Sequence, residues 1–255
     1  MSEDRFSIGG QVALTLGGTS GIGRQIALGF ADAGATVITV SRTPEKVERT
    51  VAEIRDAGGK AEGHVADLCD LGQVVDLVAK VIANHGHIDI LLNCQGITVL
   101  KPAEEFTETD YDSVLDTNLK SVFFCCQEVG KQMLERSSGS IINIASLSSY
   151  RGWSRSCLYS MSKWGIVSLT ETLASEWASR GVRVNGIAPG FFMTDLNRAR
   201  MTDERKKIAI SLTPMARFGE LEELVGAAIY LASPAARFVT GETIRVDGGY
   251  LAKGI

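Results

Sequence analysis

The chain has 255 residues, a formal net charge of −4, 45% hydrophobic and 22% charged residues, values ordinary for one large α/β domain. The mildly acidic balance gives no reason to expect nucleic acid or an anionic membrane surface as a partner. No charged-then-apolar leader or bilayer-length apolar run is present, and five cysteines, odd in number and lacking CxxC spacing, read as reduced thiols, so a soluble cytoplasmic protein with no metal site is expected.

Residues 1–11 are a polar lead-in. Val12 to Leu16 is a short apolar run, expected to be a buried strand. Next come Gly17-Gly18-Thr19-Ser20-Gly21-Ile22-Gly23 and, from Arg24, a stretch with helical spacing. A strand, a glycine turn and a helix form a dinucleotide fingerprint, here spaced GxxxGxG: glycines let the backbone approach a pyrophosphate, and the helix N-terminus offers N–H groups and the positive end of its dipole. A tight turn that binds nothing is the bland alternative.

A second strand, Thr36 to Val40, ends at Ser41-Arg42-Thr43. An NAD site usually has an acid here for the ribose 2′-hydroxyl. Arg42 after a small hydroxyl residue suits a 2′-phosphate instead, which favours NADP(H), with NAD(H) as the alternative; a solvated arginine opening the next helix is the other reading. Residues 44–57 are expected to be a helix, 61–66 a strand and Leu71 to Ala83 a helix. Asp67-Leu68 either meets an adenine edge, or Asp67 caps that helix. Ile88 to Leu92 is a fourth strand ending at Asn93-Cys94-Gln95-Gly96. Residues 108–135 read as one long helix carrying Asn118, Ser140 to Ala145 as a strand delivering Ser146, 157–179 as a helix and Val182 to Ile187 as a sixth strand. Pro189-Gly190 opens an irregular segment, 190–214. A helix at 220–232 and a strand from Thr243 to Val246 complete the chain. The alternation predicts a single-domain, Rossmann-type, doubly wound parallel sheet of about seven strands with helices on both faces.

Tyr159 and Lys163, four apart, fall on one face of a helix. A phenol loses its proton near pH 10, roughly three units too high for a base at neutral pH. A neighbouring ammonium has to supply about 4 kcal/mol to close that gap. A hydroxyl such as that of Ser146 could hold a carbonyl oxygen while the tyrosine delivers the proton.

From about Gly10 to Gly249 these motifs, in this order, resemble the classical short-chain dehydrogenase/reductases. Gly17, Gly21 and Gly23 match that family's cofactor loop, Asp67 its adenine-side aspartate, and Asn93 and Gly96 the ends of its Asn-Asn-Ala-Gly turn. Asn118, Ser146, Tyr159 and Lys163 match its catalytic tetrad. Pro189-Gly190 with Thr194 matches the loop that holds the nicotinamide carboxamide. The resemblance implies hydride transfer between a nicotinamide cofactor and a carbonyl or secondary alcohol. Tyr159 is then the acid or base, Lys163 acidifies it and holds the nicotinamide ribose, Ser146 fixes the substrate oxygen, and Asn118 holds a relay water. Leu16 and Cys94-Gln95 depart from the family pattern, where these segments brace each other by polar side chains; an apolar Leu16–Cys94 contact is expected instead.

The substrate pocket is expected between Ile97–Lys101, Ser148–Cys157 and 191–213, the last as a mobile lid with a short amphipathic helix. Arg151 and Arg155 are the candidates for an anionic group, or else are solvated or at a subunit interface. The ending of the chain looks like members acting on sugar acids and polyols, and also like 3-oxoacyl-[acyl-carrier-protein] reductases; a non-catalytic nucleotide-binding regulator is the alternative of another class. A homotetramer is expected by resemblance.

Overall fold

A computed structural model describes residues 5–194, 198 and 201–253. Seven parallel strands form one sheet in the order β3-β2-β1-β4-β5-β6-β7. They are β1 (Val12–Leu16), β2 (Thr36–Ser41), β3 (Lys60–Val65), β4 (Ile90–Asn93), β5 (Gly139–Ile144), β6 (Val182–Pro189) and β7 (Thr243–Val246). The strand order reverses direction between β1 and β4, which opens a crevice at the carboxyl ends of these strands, where ligands bind in such sheets. The two strands flanking the crevice, β1 and β4, are buried at every position. Their near-continuous apolar runs are the signature of a parallel sheet covered on both faces.

Two apolar layers do the covering. On one face lie α3 (Leu71–His85), α5 (Ser121–Glu135) and α6 (Cys157–Trp177), packing Leu77, Val129, Met133 and Ile166 onto Leu14, Leu91 and Ile141. On the other lie α1 (Gly21–Asp32), α2 (Pro44–Asp56) and the last helix, α8 (Val225–Ala232), which pack Phe30, Ile54 and Leu231 onto Val37, Ile90 and Ile142. Local chemistry sets the helix ends. Pro44 starts α2, where its missing N–H costs nothing, and Gly86, at φ +82°, closes α3.

The structure departs from the sequence reading in two places. The long helix expected at 108–135 is α4 (Glu108–Leu115) and α5, joined by one wider π turn at Asp116–Lys120 that carries Asn118. Such a turn leaves no periodic sequence signal. The short helix expected within 191–213 is present as α7 (Asp203–Leu212), whose first turn is capped by the Thr202 hydroxyl accepting from the Arg205 N–H. The remainder of the expected lid, at 195–197 and 199–200, lies outside the described residues. The helix expected at 220–232 begins as a 3-10 turn, Leu221–Leu224. No helix among the described residues is long and apolar enough to cross a membrane.

Candidate active site

A cleft of about 510 Å³ lies at the carboxyl ends of β1, β4, β5 and β6. Its first wall is the glycine turn. Gly17 has φ +71°, and a Cβ there would stand 2.8 Å from the Gln95 nitrogen. A Cβ on Gly23 would stand 2.3 Å from the Gly17 oxygen, so the turn admits only glycine at both places. Ser20 is the N-cap of α1 but makes no side-chain bond to the helix amides. The N-terminus of α1 thus carries no side-chain cap and opens onto the cleft at Ser20, Gly21 and Ile22, while the Gly23 N–H is taken by the Cys94 sulfur; such a helix end is suited to a phosphate. Ser20, Gly21 and Ile22 line this wall, and Thr194 stands across it, its Cγ2 3.6 Å from where a Gly21 Cβ would be. Pro189, Gly190 and Gly96 line the neighbouring stretch.

The second feature is the group Ser146, Tyr159 and Lys163, which the structure brings together in the cleft as expected. Ser146 leaves the end of β5 and caps a 3-10 turn, its Oγ accepting from the Ser148 N–H at 3.1 Å. That turn is pinned to α6 by the Ser149 hydroxyl, which donates to the Lys163 carbonyl at 2.6 Å. Tyr159 and Ser146 share a hydrogen bond. Lys163 is buried, donates from Nζ to the Ile144 carbonyl at 2.7 Å, and lies 5.9 Å from the centre of the Tyr159 ring.

The electrostatics of the site are governed by burial. Burial pushes the Tyr159 phenol above its ordinary value, and the hydrogen bond to Ser146 offsets only part of the rise. Burial also brings the Lys163 ammonium down to about 8. Desolvation thus outweighs acidification by the lysine, whose charge is itself weakened and directed at a carbonyl. Tyr159 rests as a neutral phenol, a proton donor. The Cys94 thiol nearby is pushed up to about 11 by burial, opposed by Lys163.

Asn118 is fully buried, and its side chain is largely committed: Nδ2 donates to the Ile97 carbonyl (2.9 Å) and to Ser162 Oγ (3.1 Å), while Oδ1 accepts from the Ile97 N–H (2.8 Å). Oδ1 lies near Gly96, as does Lys163 Nζ. Asn93, by contrast, does not face the cleft. It pairs in register with Leu16, and both side chains point to the α3/α5 layer. Asn93 Nδ2 donates to Asn143 Oδ1 (2.8 Å) and Cys126 Sγ (3.2 Å), and Asn143 Nδ2 donates to Thr170 Oγ1 (3.0 Å). It braces two strands and α6. The same alternation removes the expected Leu16–Cys94 contact: Cys94 packs with the α1 layer, and the segments are joined by the Cys94 N–H donating to the Leu16 carbonyl at 3.0 Å.

The remaining expected cofactor positions lie beside the cleft. Thr19 is buried and does not line it. Ser41 ends β2, tied to the glycine turn through the Gly17 N–H donating to the Val40 carbonyl at 3.0 Å. Arg42 is exposed, with no ion pair or hydrogen bond among the described residues. Asp67 Oδ1 accepts from the Cys69 N–H at 3.0 Å. It does not cap α3; Asp70 does, accepting from the N–H groups of Gly72 and Gln73. Leu68 packs against the α3 side of the core.

The far wall is aromatic. Trp153 stacks on Tyr250 with centroids 5.8 Å apart, and Phe191 meets both edge-on. Trp153, Phe191 and Met201 line the cleft, as do Ile97 and Leu100 from the expected first segment. Arg151 and Arg155 are exposed and do not line it. Arg205, on α7, does. Sequence reading placed it in the lid helix without singling it out. The signal available was its spacing, with no acid three or four residues away.

The family profile described as Enoyl-(Acyl carrier protein) reductase matches residues 17–251. The chain is 39% identical over 248 residues to D-threitol dehydrogenase of Mycolicibacterium smegmatis, covering 97% of this chain and 95% of that one. It is 38% identical over 247 residues to gluconate 5-dehydrogenase of Gluconobacter oxydans, 96% of each chain. A solved gluconate 5-dehydrogenase from Burkholderia cenocepacia, in complex with NADP and tartrate, superposes with a TM-score of 0.95 at 37% identity, covering 98% of this chain and 99% of that one. Fold, glycine turn, Ser–Tyr–Lys group and these likenesses agree, and the chain belongs to the short-chain dehydrogenase/reductase family.

Proposed function

We propose that the protein is an NADP(H)-preferring oxidoreductase that interconverts a ketone and a secondary alcohol on a small polar substrate of the sugar-acid or polyol type. The observation that carries this reading is the Ser146–Tyr159 hydrogen bond, with Lys163 beside it, in the same cleft as the uncapped N-terminus of α1. The relatives named for threitol and gluconate support the substrate class, and the NADP in the gluconate 5-dehydrogenase complex supports the cofactor.

A bound nicotinamide dinucleotide supplies the hydride chemistry. The cradle fits its pyrophosphate, since side chains are excluded at Gly17 and Gly23 and the N-terminus of α1 carries no side-chain cap. Ser41 and Arg42 are assigned to the 2′-phosphate, Asp67 to the adenine edge, and Gly96, Pro189, Gly190 and Thr194 to the nicotinamide side. Ser146 orients the substrate oxygen. Tyr159, neutral at rest, gives that oxygen its proton in reduction and takes it back in oxidation. Lys163 holds the ribose and stabilises the phenolate as the proton leaves. Asn118 fixes the Gly96-Ile97 turn and keeps an Oδ1 lone pair for a relay water. Phe191, Met201 and Arg205 cover the substrate. Five free thiols fit a cytoplasmic location, and the exposed Tyr111, Phe123 and Trp164 on α4–α6 fit a homotetramer.

The test is Tyr159→Phe. A loss of about a thousandfold in turnover, with folding and NADPH binding intact, is expected; near-parental turnover overturns the mechanism. A screen of NADPH against NADH over aldonates, alditols and acetoacetyl thioesters decides the substrate. Activity on thioesters alone reverses that part of the reading, and tight NADPH binding without any turnover points to a regulator.

A further inference from the structure

Among the described residues lining the cleft, none is acidic and two are cationic, Lys163 and Arg205. Lys163 is occupied by the Ile144 carbonyl and lies against the Tyr159 ring. Arg205 is different. Its backbone N–H is used in the cap of α7, donating to Thr202 Oγ1 at 3.3 Å. Its side chain is exposed and makes no ion pair or hydrogen bond among the described residues. Its helix offers it no partner among the described residues: positions three and four residues away are Met201, Thr202, Ile208 and Ala209, all uncharged, Asp203 is paired with Lys206 at 3.1 Å, and the adjacent Glu204 makes no ion pair with it. The wall it joins is apolar, made by Trp153, Phe191 and Met201. A guanidinium that no carboxylate of its own helix neutralises, at the edge of a low-dielectric cleft, is suited to a bidentate pair with an incoming carboxylate.

We infer that Arg205 is the specificity-determining residue that recognises the substrate's carboxylate, and that the substrate is a hydroxy acid rather than a neutral polyol. This rests on the functional reading above and narrows it. It also replaces Arg151 and Arg155, which lie outside the cleft, as the anion-binding candidates.

The experiment uses the full-length parent, Arg205→Gln and Arg205→Lys. Steady-state kinetics are measured with D-gluconate and with the neutral D-glucitol, NADPH binding by fluorescence, and tartrate binding to the NADP-loaded protein by calorimetry. The expected result is a KM for gluconate raised about 30-fold in Arg205→Gln, equivalent to about 2 kcal/mol. Its kcat, its glucitol kinetics and its NADPH affinity should stay within about threefold, the scatter ordinary for a substitution that leaves the machinery intact. Arg205→Lys should recover part of the loss, since it keeps the charge but not the fork. Tartrate binding should weaken in parallel with gluconate. The inference is overturned if gluconate and glucitol are affected alike, if gluconate KM does not move, or if NADPH affinity falls as far as gluconate affinity, which assigns Arg205 to the cofactor. Should the parent turn over neither compound, the functional reading fails, and tartrate calorimetry still decides this one. Tartrate binding that is absent from the parent, or equal in parent and Arg205→Gln, overturns it; selective loss in Arg205→Gln supports it.

Discussion

The wall that starts at Gly17 and the wall that carries Arg205 face each other across one cleft but are made of different material. The first is backbone. Two glycines leave no room for a methyl group, and the helix end behind them has no side-chain cap. The second is side chain: Trp153, Phe191 and Tyr250 pack ring against ring, and an arginine stands at the margin. Backbone recognition tolerates almost no change and fits a phosphate common to many ligands. Side-chain recognition can be altered one residue at a time, so substrate preference belongs to the second wall.

Four substitutions probe this division. The largest effect is expected from Gly23→Ala, whose Cβ meets the Gly17 carbonyl oxygen. Forcing that turn open should weaken NADPH binding by about a hundredfold, near 3 kcal/mol, measured by fluorescence titration. An effect under threefold would mean that the turn does not cradle the cofactor. Arg42→Ala comes next. Loss of a charge-assisted contact should weaken NADPH by about 10–100-fold and leave NADH unchanged, read from paired Kd values; equal losses on both cofactors would remove the 2′-phosphate from the argument.

Asn93→Ala separates bracing from binding. It leaves the buried Asn143 amide without its partner from β4, so denaturant unfolding should show a loss of about 2 kcal/mol. NADPH affinity should hold, and a large drop in that affinity would return Asn93 to the cofactor. The smallest effect is a pH trend in the unliganded protein. Lys163 has a folded pKa of about 8 against 10.5 for the free side chain, so across that window the unfolded chain binds more protons and this group makes stability rise with pH. Lys163→Met removes the burden of burying an ammonium. The variant should melt higher than the parent by about 2–4 °C below pH 8, and its advantage should shrink as pH climbs toward 10.5. A gap independent of pH would show that Lys163 is not desolvated as described.

The same division explains what could be read before any coordinates. The buried strands and the glycine turn were legible because short-range spacing determines them. Val12–Leu16 has no polar residue but Thr15, and the glycines follow directly. Tyr159 and Lys163 were legible because one helical turn separates them. The bracing role of Asn93 is not legible in its motif, because a strand's alternation decides which face a side chain takes: Asn93 shares the face of Leu16, and the next residue, Cys94, takes the other. The balance between burial and the ammonium at Tyr159 is not legible in sequence, because the cost of burial depends on everything packed around it. Arg205 escaped notice because only the path of the chain after β6 brings it to the cleft, while Arg151 and Arg155, nearer the catalytic serine in sequence, turn outward.

The last described residues reach back to the substrate wall. Lys253 Nζ donates to the Ser211 carbonyl at 2.7 Å, Gly248 accepts from the Met215 N–H at 3.1 Å, and Tyr250 lies against Trp153. Residues 248–253 therefore work as a buttress for the substrate wall. Loosening these contacts, as by Tyr250→Ala, should reveal itself in altered substrate selectivity before it reveals itself in cofactor affinity.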